Sequence, residues 1–540
     1  MRLLLSLAAC LVAAVSCQNP PAVDPPSGGD EPVKPTVPPK AIVVSASVDG
    51  VTVREGGSLG GVSLEPVISL MFSREVTAEG ASSSSVIFSG GDVTAELDES
   101  DHSVLRLKPV GPLKGFSPYR FELTEGECFG VRVQKSYGFT FTTEYDRADK
   151  FSRISDDELL TLVQRQTFKF FWDYAHPVSG LARERLGSGD TVASGGSGFG
   201  LMTFPVAVER GFVSRDDAAA RLRIIVDFLQ NKAQRFHGAY SHWLNGSTGK
   251  AIPFSTKDNG ADIVETAYLV QGLLTVAQYF DAPGEADIRS AIDAIWRGVE
   301  WDWFTRGGQD VLYWHWSPDY GWDMNMPIKG WNECLITYIL AASSPTHTVN
   351  ASVYHKGWAG SGSMRPDYND PLFFAHYSFL GIDPHGLKDS YGDYWAQNVA
   401  HTRRNYEYCV SNPQGHAGYS ASCWGLTASD IPGGYSASSP RNDLGVIAPT
   451  AALSSIPYTP EESLAALHEF YYVYGDRLWG EYGFHDAFCL DQGWFAPGYI
   501  SIDQGPIMVM IENYRTGLPW SLLMKDPDIS AGLSKLGFSW

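Results

Sequence analysis

The chain has 540 residues, a net charge of −21 and 44% apolar residues. This length suggests more than one domain, and the composition excludes disordered, collagen-like and coiled-coil proteins. The negative charge argues against nucleic acid and other polyanions as partners.

The first 17 residues have the features of a secretory signal peptide, with Arg2 followed by a short apolar run. Small residues stand directly before Cys17, as in the lipobox of bacterial lipoproteins, although Ala14 occupies a position where Leu is commoner. We therefore predict a signal peptide over 1–17, lipidation of Cys17 and a place in the bacterial cell envelope, on either side of the outer membrane. The alternative is a soluble secreted protein that is cleaved nearby. No later stretch has 18 uninterrupted apolar residues, so a lipid would be the membrane anchor.

Residues 18–40 are rich in Pro and Gly, which predicts a linker. Short alternating runs separated by Gly, Ser and Asp follow over 41–147 and predict a β-sandwich. The pattern of this segment resembles the bacterial immunoglobulin-like domains that precede exported enzymes, and a spacer function is expected for it.

Five cysteines remain after Cys10 and Cys17 are set aside, and the chain has no C-x-x-C motif. This excludes a zinc ribbon and a thioredoxin-like site. Cys409 and Cys423 are candidates for one disulfide, although spacing alone does not fix the pairing.

Helical periodicity dominates residues 150–540. Ser155 and Glu158 form a predicted capping box at the first helix, and Ser214 is a predicted N-cap of another. Further helices are predicted near 260–280, 284–304, 331–343, 369–380, 391–410, 460–474 and 503–515. The segments 187–200 and 412–441 are predicted to be long functional loops because they are rich in Gly, Ser and aromatic residues. About 32 residues for each of twelve helices would suit an (α/α)6 barrel, although an irregular helical bundle or a solenoid has the same period.

Three acids are closely spaced in the stretch 257–274. Asp258, Asp262 and Glu265 stand at i, i+4 and i+7, which would place them on one face of a helix. Like charges that close destabilise a helix unless they have a use. The plainer alternative is that Asp258 caps the helix while the other two complement its dipole.

A fourth acid, Glu333, follows an aromatic loop that contains Trp314, Trp316 and Trp322. An acid in such a setting can have its pKa raised by desolvation, as a general acid requires. Glycosidic hydrolysis needs one protonated carboxyl group and one carboxylate, and these two regions supply candidates for both. The same regions could also form a binding cleft without chemistry.

Other site types have little support. The segment 195–199 departs from G-x-S-x-G at its last position, and the 13 histidines include no H-E-x-x-H. We predict neither a catalytic metal nor a cofactor.

Seven stretches of the helical region carry a family resemblance. They are QTFKFFW (166–172), SGFGL (197–201), DNGADIVET (258–266), GWNE (330–333), FFAHYS (373–378), IDQGP (502–506) and IENYR (511–515). These stretches resemble the glycoamylase-like domain, glycoside hydrolase family 144, of exported Bacteroidetes proteins. The resemblance implies an (α/α)6 barrel and hydrolysis of β-1,2-glucan to sophorose or short sophorooligosaccharides with inversion.

The family's essential acids correspond to Asp262, Glu265 and Glu333, with Asp258 as a further acid of the cleft. Glu333 is the predicted general acid, and Asp262 or Glu265 would handle the water. The side chains predicted to contact sugar are Asp258, Trp314, Trp316, Trp322, Trp331, Phe374, His376, Tyr377, Trp424, Arg441, His485, Trp494 and Gln504. For each aromatic residue taken singly, core packing is an equal alternative.

The predicted partner is a neutral glucan or oligosaccharide, and the chain is expected to be a monomer. Alternatives are an α-glucan hydrolase, as the older family name glucoamylase implies, and a noncatalytic glycan-binding lipoprotein. A toroidal polysaccharide lyase is disfavoured because lyases normally act on acidic polymers, which a charge of −21 would repel. The sequence leaves the choice between endo and exo action open.

Overall fold

The computed structural model describes residues 37–79, 85–361 and 367–540. The chain divides into two compact units, one ending at Glu144 and the other beginning at Tyr145. The predicted signal peptide, Cys17 and most of the predicted linker lie outside the described residues.

The first unit is built from β-strands. They are β1 (Lys40–Ala41), β2 (Val43–Val48), β3 (Val51–Val53), β4 (Ser58–Val62), β5 (Ile68–Phe72), β6 (Val86–Phe88), β7 (Val93–Leu97), β8 (Val104–Pro109), β9 (Pro118–Leu123), β10 (Gly126–Cys128), β11 (Val131–Val133) and β12 (Tyr137–Thr143). Strand order is β3-β2-β5-β8-β7 in one sheet, β4-β12-β9-β6 in a second and β1-β11-β10 in a third. Leu70 and Leu105 of the first sheet share one core with Phe121 and Phe141 of the second, which explains the alternating sequence.

The second unit is mainly helical. Its α-helices are α1 (Asp156–Trp172), α2 (Ser194–Glu209), α3 (Arg215–Asn231), α4 (Ile263–Tyr279), α5 (Ala286–Arg297), α6 (Leu335–Ser343), α7 (Tyr394–Ser411), α8 (Pro449–Leu453), α9 (Pro460–His468), α10 (Gly475–Leu478), α11 (Ser501–Arg515), α12 (Leu518–Leu523) and α13 (Pro527–Leu536). Short helical turns lie at Pro283–Glu285, Trp301–Thr305, Val353–Trp358, Ala359–Ser361, Leu372–Ala375, Tyr377–Phe379, Glu469–Val473 and Leu490–Gln492. The last turn of the predicted 460–474 helix is therefore wider than an α-helix, and 369–380 forms two short turns instead of one helix.

Two predicted helix caps are confirmed. At α1, Glu158 Oε2 accepts a hydrogen bond from the Ser155 N–H at 2.9 Å while Ser155 Oγ accepts from the Glu158 N–H, which completes the capping box. At α3, Ser214 Oγ accepts from the Asp217 N–H at 3.1 Å.

Helix α2 lies where the sequence analysis placed a loop. Its first turns contain four glycines, Gly195, Gly196, Gly198 and Gly200, a composition that disfavours a helix in isolation. Tertiary packing overrides that preference, because α2 lies against both α4 and α11 and its first 14 residues are buried.

Among the described residues of the second unit, thirteen short strands join the helices. They are β13 (Thr191–Ala193), β14 (Arg235–Phe236), β15 (Ala239–Tyr240), β16 (Trp243–Asn245), β17 (Ala251–Ile252), β18 (Ala261–Asp262), β19 (His315–Trp316), β20 (Ala428–Ile431), β21 (Gly434–Ala437), β22 (Trp479–Gly480), β23 (Gly483–Phe484), β24 (Phe488–Cys489) and β25 (Trp494–Phe495). The predicted loop 412–441 therefore contains the antiparallel hairpin β20–β21.

All five cysteines in the described part of the chain are buried free thiols. The disulfide considered between Cys409 and Cys423 is thus absent. Across the described ranges, no helix combines the length and apolarity needed to cross a membrane.

Candidate active site

A cavity of about 380 Å³ opens in the helical unit. It is lined by Glu184, Arg185, Ala193, Gly196, His242, Trp243, Phe254, Glu265, Tyr268, Trp314, Glu333, Phe373, Tyr377, Ala428, Tyr435, Ile500, Ser501 and Ile502. Its carboxyl groups belong to Glu184, Glu265 and Glu333. Carboxyl groups and aromatic rings thus meet in one concave site of the size that binds small ligands.

The first turn of α2 forms part of the cavity floor and has no room for side chains. A Cβ on Gly195 would lie 2.6 Å from Glu265 Oε2, and a Cβ on Gly196 would collide with the hydroxyl of Ser501. Helix α4 therefore approaches one side of this turn, and the start of α11 approaches the other. The Gly195 N–H donates to Glu265 Oε2 at 2.7 Å, which fixes that carboxyl group beside the floor.

Asp262 ends β18 and caps α4. Its Oδ1 accepts hydrogen bonds from the N–H groups of Val264 (3.0 Å) and Glu265 (2.9 Å). Strand β18 pairs with β19 so that Asp262 faces His315. Asp262 is 1% exposed and does not line the cavity.

The acids of 258–265 do converge, but not along a helix as predicted. Helix α4 begins at Ile263, so Asp258 and Asp262 precede it, and Asp262 rather than Asp258 is the cap. Asp258 reaches the group through a turn, and its Oδ2 lies 3.4 Å from His315 Nε2, which is itself 3.6 Å from Asp262 Oδ2.

His242 bridges the acids and was not singled out by the sequence analysis. Its Nδ1 lies 3.4 Å from Asp262 Oδ2, and its Nε2 lies 3.8 Å from Glu265 Oε1. The ring of Phe254 stacks on the imidazole with centroids 4.3 Å apart. Although burial opposes the charged form, Glu265 and Asp262 raise the pKa of His242 to about 9, so the imidazolium persists at neutral pH.

The three acids differ in their electrostatic setting. Burial raises the pKa of Asp258 to about 7, and the charge of Asp262 adds to the shift. Burial also raises the pKa of Glu265 to about 7, against the opposing effect of His242. Burial would raise the pKa of Asp262 as well, but the hydrogen bond from His242 and the nearby His315 hold it below its usual value. Asp262 is consequently the ionised member of the cluster.

Glu333 lies two residues before α6 and opens onto the same cavity. Its backbone carbonyl accepts a hydrogen bond from Ser378 Oγ at 2.6 Å, and its side chain is partly buried. Burial raises the pKa of Glu333 to about 7, and Asp262 and Glu265 add smaller increases. A carboxyl group that stays protonated near neutrality suits the role of a general acid.

The wall beside α11 carries a second charged group. Glu184 accepts hydrogen bonds from Arg185 Nε through both carboxyl oxygens, at 3.1 and 2.9 Å. Arg185 Nη1 donates to Asp430 of the β20–β21 hairpin at 2.8 Å. Behind this wall the buried Asp486 accepts from the Asp430 N–H at 2.6 Å, and burial raises the pKa of Asp486 to about 7.

Aromatic rings form much of the remaining cavity wall. Trp314 and Tyr377, two of the side chains predicted to contact sugar, line it together with Phe373. Phe254 and Tyr435 also line it and are 49% and 50% exposed, so the rings present free surface at the rim. Exposed aromatic surface beside a polar cavity suits the stacking of sugar rings.

The other side chains predicted to contact sugar do not line this cavity: Asp258, Trp316, Trp322, Trp331, Phe374, His376, Trp424, Arg441, His485, Trp494 and Gln504. Several have structural partners instead. His376 Nε2 lies 2.9 Å from Ser455 Oγ, Trp424 Nε1 donates to the Glu462 carbonyl, and Gln504 Nε2 donates to the Phe484 carbonyl. Arg441 is exposed and pairs with Asp367 and Asp370.

The remaining members of that set pack against other aromatic rings. Trp316 and Trp322 contact Trp303, Trp331 stacks near Phe379, and Phe374 lies edge-on to Phe373. Trp494 lies in β25 beside a small core cluster, and His485 Nδ1 is 2.7 Å from the Ala496 carbonyl oxygen.

Ligand atoms of His242, Asp258 and Asp262 lie within 4.8 Å of one another, a spacing that could hold a metal ion. Binding a metal there would require His242 to lose a proton, because Glu265 and Asp262 raise its pKa to about 9. Within the described residues, His242 is better explained as the positive charge that balances the acids.

Comparisons with known proteins agree on one family. The glycoamylase family model, described as "Putative glucoamylase", matches residues 325–527. A solved structure of a "putative glucoamylase" from Bacteroides uniformis is 57% identical, with a TM-score of 0.71, and the match covers 72% of this chain and 99% of that one. The chain belongs to glycoside hydrolase family 144, the glycoamylase-like family.

Two further relatives of this family 144 protein have named activities. An endo-β-1,2-glucanase from Chitinophaga pinensis, solved with sophorotriose and glucose, is 50% identical with a TM-score of 0.70 over 72% of this chain and 99% of that chain. An exo β-1,2-glucooligosaccharide sophorohydrolase from Parabacteroides distasonis is 43% identical over 420 residues, which are 71% of this chain. The match spans 58% of the length of that curated relative.

Glu184, His242 and Phe254 line the family 144 cavity but were not singled out by the sequence analysis. Glu184 stands next to Arg185, and such an adjacent pair of opposite charges is typical of a solvated surface. His242 precedes Trp243 in a short strand, and no spacing links it to the acids. The Gly, Ser and aromatic content of 412–441 predicts a functional loop with Tyr435 as a candidate for the cleft wall, and Tyr435 does line the cavity.

Proposed function

We propose that this protein is an exported glycoside hydrolase that cleaves β-1,2-glucan, releasing sophorose or short sophorooligosaccharides with inversion at the anomeric carbon. The observation that supports this proposal most directly is that Glu333 and a second carboxyl group, that of Glu265, line the same cavity, which has aromatic walls. The named activities of the Chitinophaga and Parabacteroides relatives support the choice of linkage.

Glu333 is the proposed general acid, because burial keeps its carboxyl group protonated close to neutral pH. Asp262 and Glu265 are the further proposed catalytic acids, one of which would handle the water. In inverting glycosidases the two carboxyl groups stand about 6.5–9.5 Å apart so that water fits between the base and the sugar. Trp314 and Tyr377 would stack on or flank the sugar rings.

The same proposal includes the wider organisation of the chain. Residues 150–540 would form an (α/α)6 toroid, which the mainly helical second unit supports. Residues 41–147 would be an immunoglobulin-like spacer, supported by the two sheets that share a core. Lipidation at Cys17 would anchor a monomeric protein in the cell envelope, which the lipobox-like sequence supports.

An α-glucan hydrolase is the second candidate, because the matching family model carries the description of a glucoamylase. The decisive experiment incubates residues 18–540 with linear β-1,2-glucan and, separately, with starch. Chromatography identifies the products, and NMR of the fresh reaction identifies the anomer. Glu333→Gln, which keeps the side-chain shape, is the matched control.

Sophorose or its oligomers with inverted configuration, absent with the Glu333→Gln variant, are the expected outcome. Glucose from starch would favour the second candidate. Binding of glucan without any product would replace both with a glycan-binding lipoprotein.

A further inference from the structure

Glu184 is the cavity carboxyl group with no role in the mechanism above. It lines the same cavity as Glu333 and Glu265, and its side chain is 14% exposed. Asp262, by contrast, does not line the cavity, and one of its carboxylate oxygens caps α4. Glu184 can therefore contact a ligand in the cavity, whereas Asp262 cannot.

The backbone around Glu184 is held on both sides. The Glu184 N–H donates to the Thr191 carbonyl at 3.0 Å, and the Ser501 N–H donates to the Glu184 carbonyl at 2.9 Å. Arg183 and Arg185 form β-bridges with Val192 and Ile500. Residues 183–185 thus lie as an extended segment between β13 and the start of α11, which places Glu184 on a rigid element.

The two walls of the cavity carry different carboxyl groups. Glu265 belongs to α4, and the Glu333 carbonyl lies 3.5 Å from the hydroxyl of Tyr268 on the same helix. The backbone carbonyl of Glu184 accepts a hydrogen bond from the N–H of Ser501, the first residue of α11. Ser501 lies beside Gly196 in the first turn of α2, on the side away from α4. An inverting hydrolase requires its acid and its base on opposite faces of the sugar ring, and Glu265 shares a wall with Glu333.

Arg185 fixes the side chain of Glu184 in the cavity wall. The guanidinium bonds both oxygens of Glu184 and is itself held by Asp430. Among the described residues, the cation nearest to Glu265 is His242, whose Nε2 lies 3.8 Å from Glu265 Oε1 and whose Nδ1 also contacts Asp262.

We propose that Glu184 is the catalytic base, which takes a proton from the attacking water across the cavity from Glu333. This inference rests on the proposed glucanase function. The water oxygen bonds to the anomeric carbon as Glu184 accepts its proton, the glycosidic C–O bond breaks, and Glu333 gives its proton to the leaving oxygen. Proton exchange with solvent then restores both side chains. Glu184 thus takes the base role that Asp262 or Glu265 would otherwise fill, and those two acids and His242 form the charged support of the Glu333 wall.

The test compares Glu184→Gln and Glu184→Ala with the unaltered protein on linear β-1,2-glucan. Loss of a general base lowers kcat by roughly 10²–10⁴-fold, with KM little changed. Glu285→Gln is the matched control, because Glu285 also makes two hydrogen bonds to a neighbouring arginine, Arg215, but does not line the cavity. This control should keep full activity.

The response to azide distinguishes a catalytic base from a residue that only supports the fold. Added to Glu184→Ala, azide can attack the anomeric carbon without a base, so we expect recovered turnover and an α-glycosyl azide product. Glu333→Ala should give no such product from the glucan, because protonation of the leaving oxygen is then missing.

Near-normal hydrolysis by Glu184→Ala, or slow hydrolysis that azide leaves unchanged, would overturn the assignment of Glu184 while the glucanase function stands. If the unaltered protein releases nothing from β-1,2-glucan, the proposed function fails first and this assignment fails with it.

Discussion

Glu333 is a partly buried carboxyl group whose surroundings favour its protonated form. Burial raises its pKa to about 7, while Asp262 and Glu265 on the same wall disfavour its ionisation further. The residue therefore gains its proposed role from its surroundings, since an exposed glutamate would be ionised throughout the neutral range.

We expect kcat/KM to fall as the pH rises through about 7, because Glu333 is then deprotonated and the leaving oxygen receives no proton. A profile of kcat/KM from pH 5 to 9 checks this. Glu333→Gln should lower turnover by roughly 10²–10⁴-fold and leave the melting temperature in place. Undiminished activity at pH 9 would remove Glu333 from the role of acid.

His242 supports the charge of Asp262, and Glu265 and Asp262 raise its pKa to about 9. Because the pKa of His242 is higher in the folded state than in the unfolded state, the charged ring stabilises the fold. This stabilisation is complete below the unfolded-state pKa of about 6.5 and disappears as the pH rises past the folded-state pKa. We therefore expect His242→Gln to reduce stability at pH 6 by about 1–3 kcal/mol and to have little effect above pH 9.

Urea unfolding at pH 6 and at pH 10 measures that difference. His237→Gln is the matched control, because His237 contacts Glu300 at 2.9 Å, is similarly exposed and lies away from the cavity. An equal loss of stability at both pH values for His242→Gln would contradict the charge-balancing role.

Helix α2 shows at the scale of elements why packing, rather than propensity, positions the site. Gly198 of α2 and Gly272 of α4 face each other so closely that a Cβ on either one would enter the backbone of the other helix. This close approach brings the Gly195 N–H within reach of Glu265. The glycines that argue against a helix in the sequence are therefore the residues that allow this helix to fit.

We expect Gly272→Ala to destabilise the protein by about 1–3 kcal/mol through overpacking, although alanine favours a helix. Thermal unfolding measures the change, and Gly284→Ala is the control because a Cβ there meets nothing within 4 Å. Activity should fall in parallel, since α2 and α4 would separate beneath Glu265. A stabilised Gly272→Ala variant would show that propensity outweighs contact at this position.

Much of the element pattern could be predicted from the sequence because it depends on local signals. The capping box of α1, the N-cap of α3, the helices near α1, α3 and α7 and the alternating strands of the first unit all depend on residues close together in the chain. Helix α2 could not be predicted, because its stability comes from α4 and α11. The same limit applies to the site: Glu265 and Glu333 were identified by motif, whereas His242 and Glu184 reach the cavity only through long-range pairing.

At the scale of the whole molecule, every residue that lines the cavity belongs to the unit that begins at Tyr145. The first unit has its own closed core of apolar side chains, as expected of a separate domain.

Residues 145–540 alone should therefore hydrolyse soluble sophorooligosaccharides with kcat/KM within about 3-fold of residues 18–540, because compact domains generally fold independently. Parallel assays of the two proteins, with circular dichroism to verify helical content, check this. A folded but inactive fragment would assign the first unit a part in the reaction.

The crowded floor at Gly195 and Gly196 limits where this scaffold can evolve. A side chain added at either glycine would strike Glu265 or Ser501, so mutation there disturbs chemistry before it alters substrate preference. The rim is free of that restriction, since Phe254 of a loop and Tyr435 of the β20–β21 hairpin are each about half exposed to solvent. Relatives that prefer different chain lengths should accordingly diverge at these loops and keep the floor unchanged, and an engineer seeking a new product length should diversify the same positions.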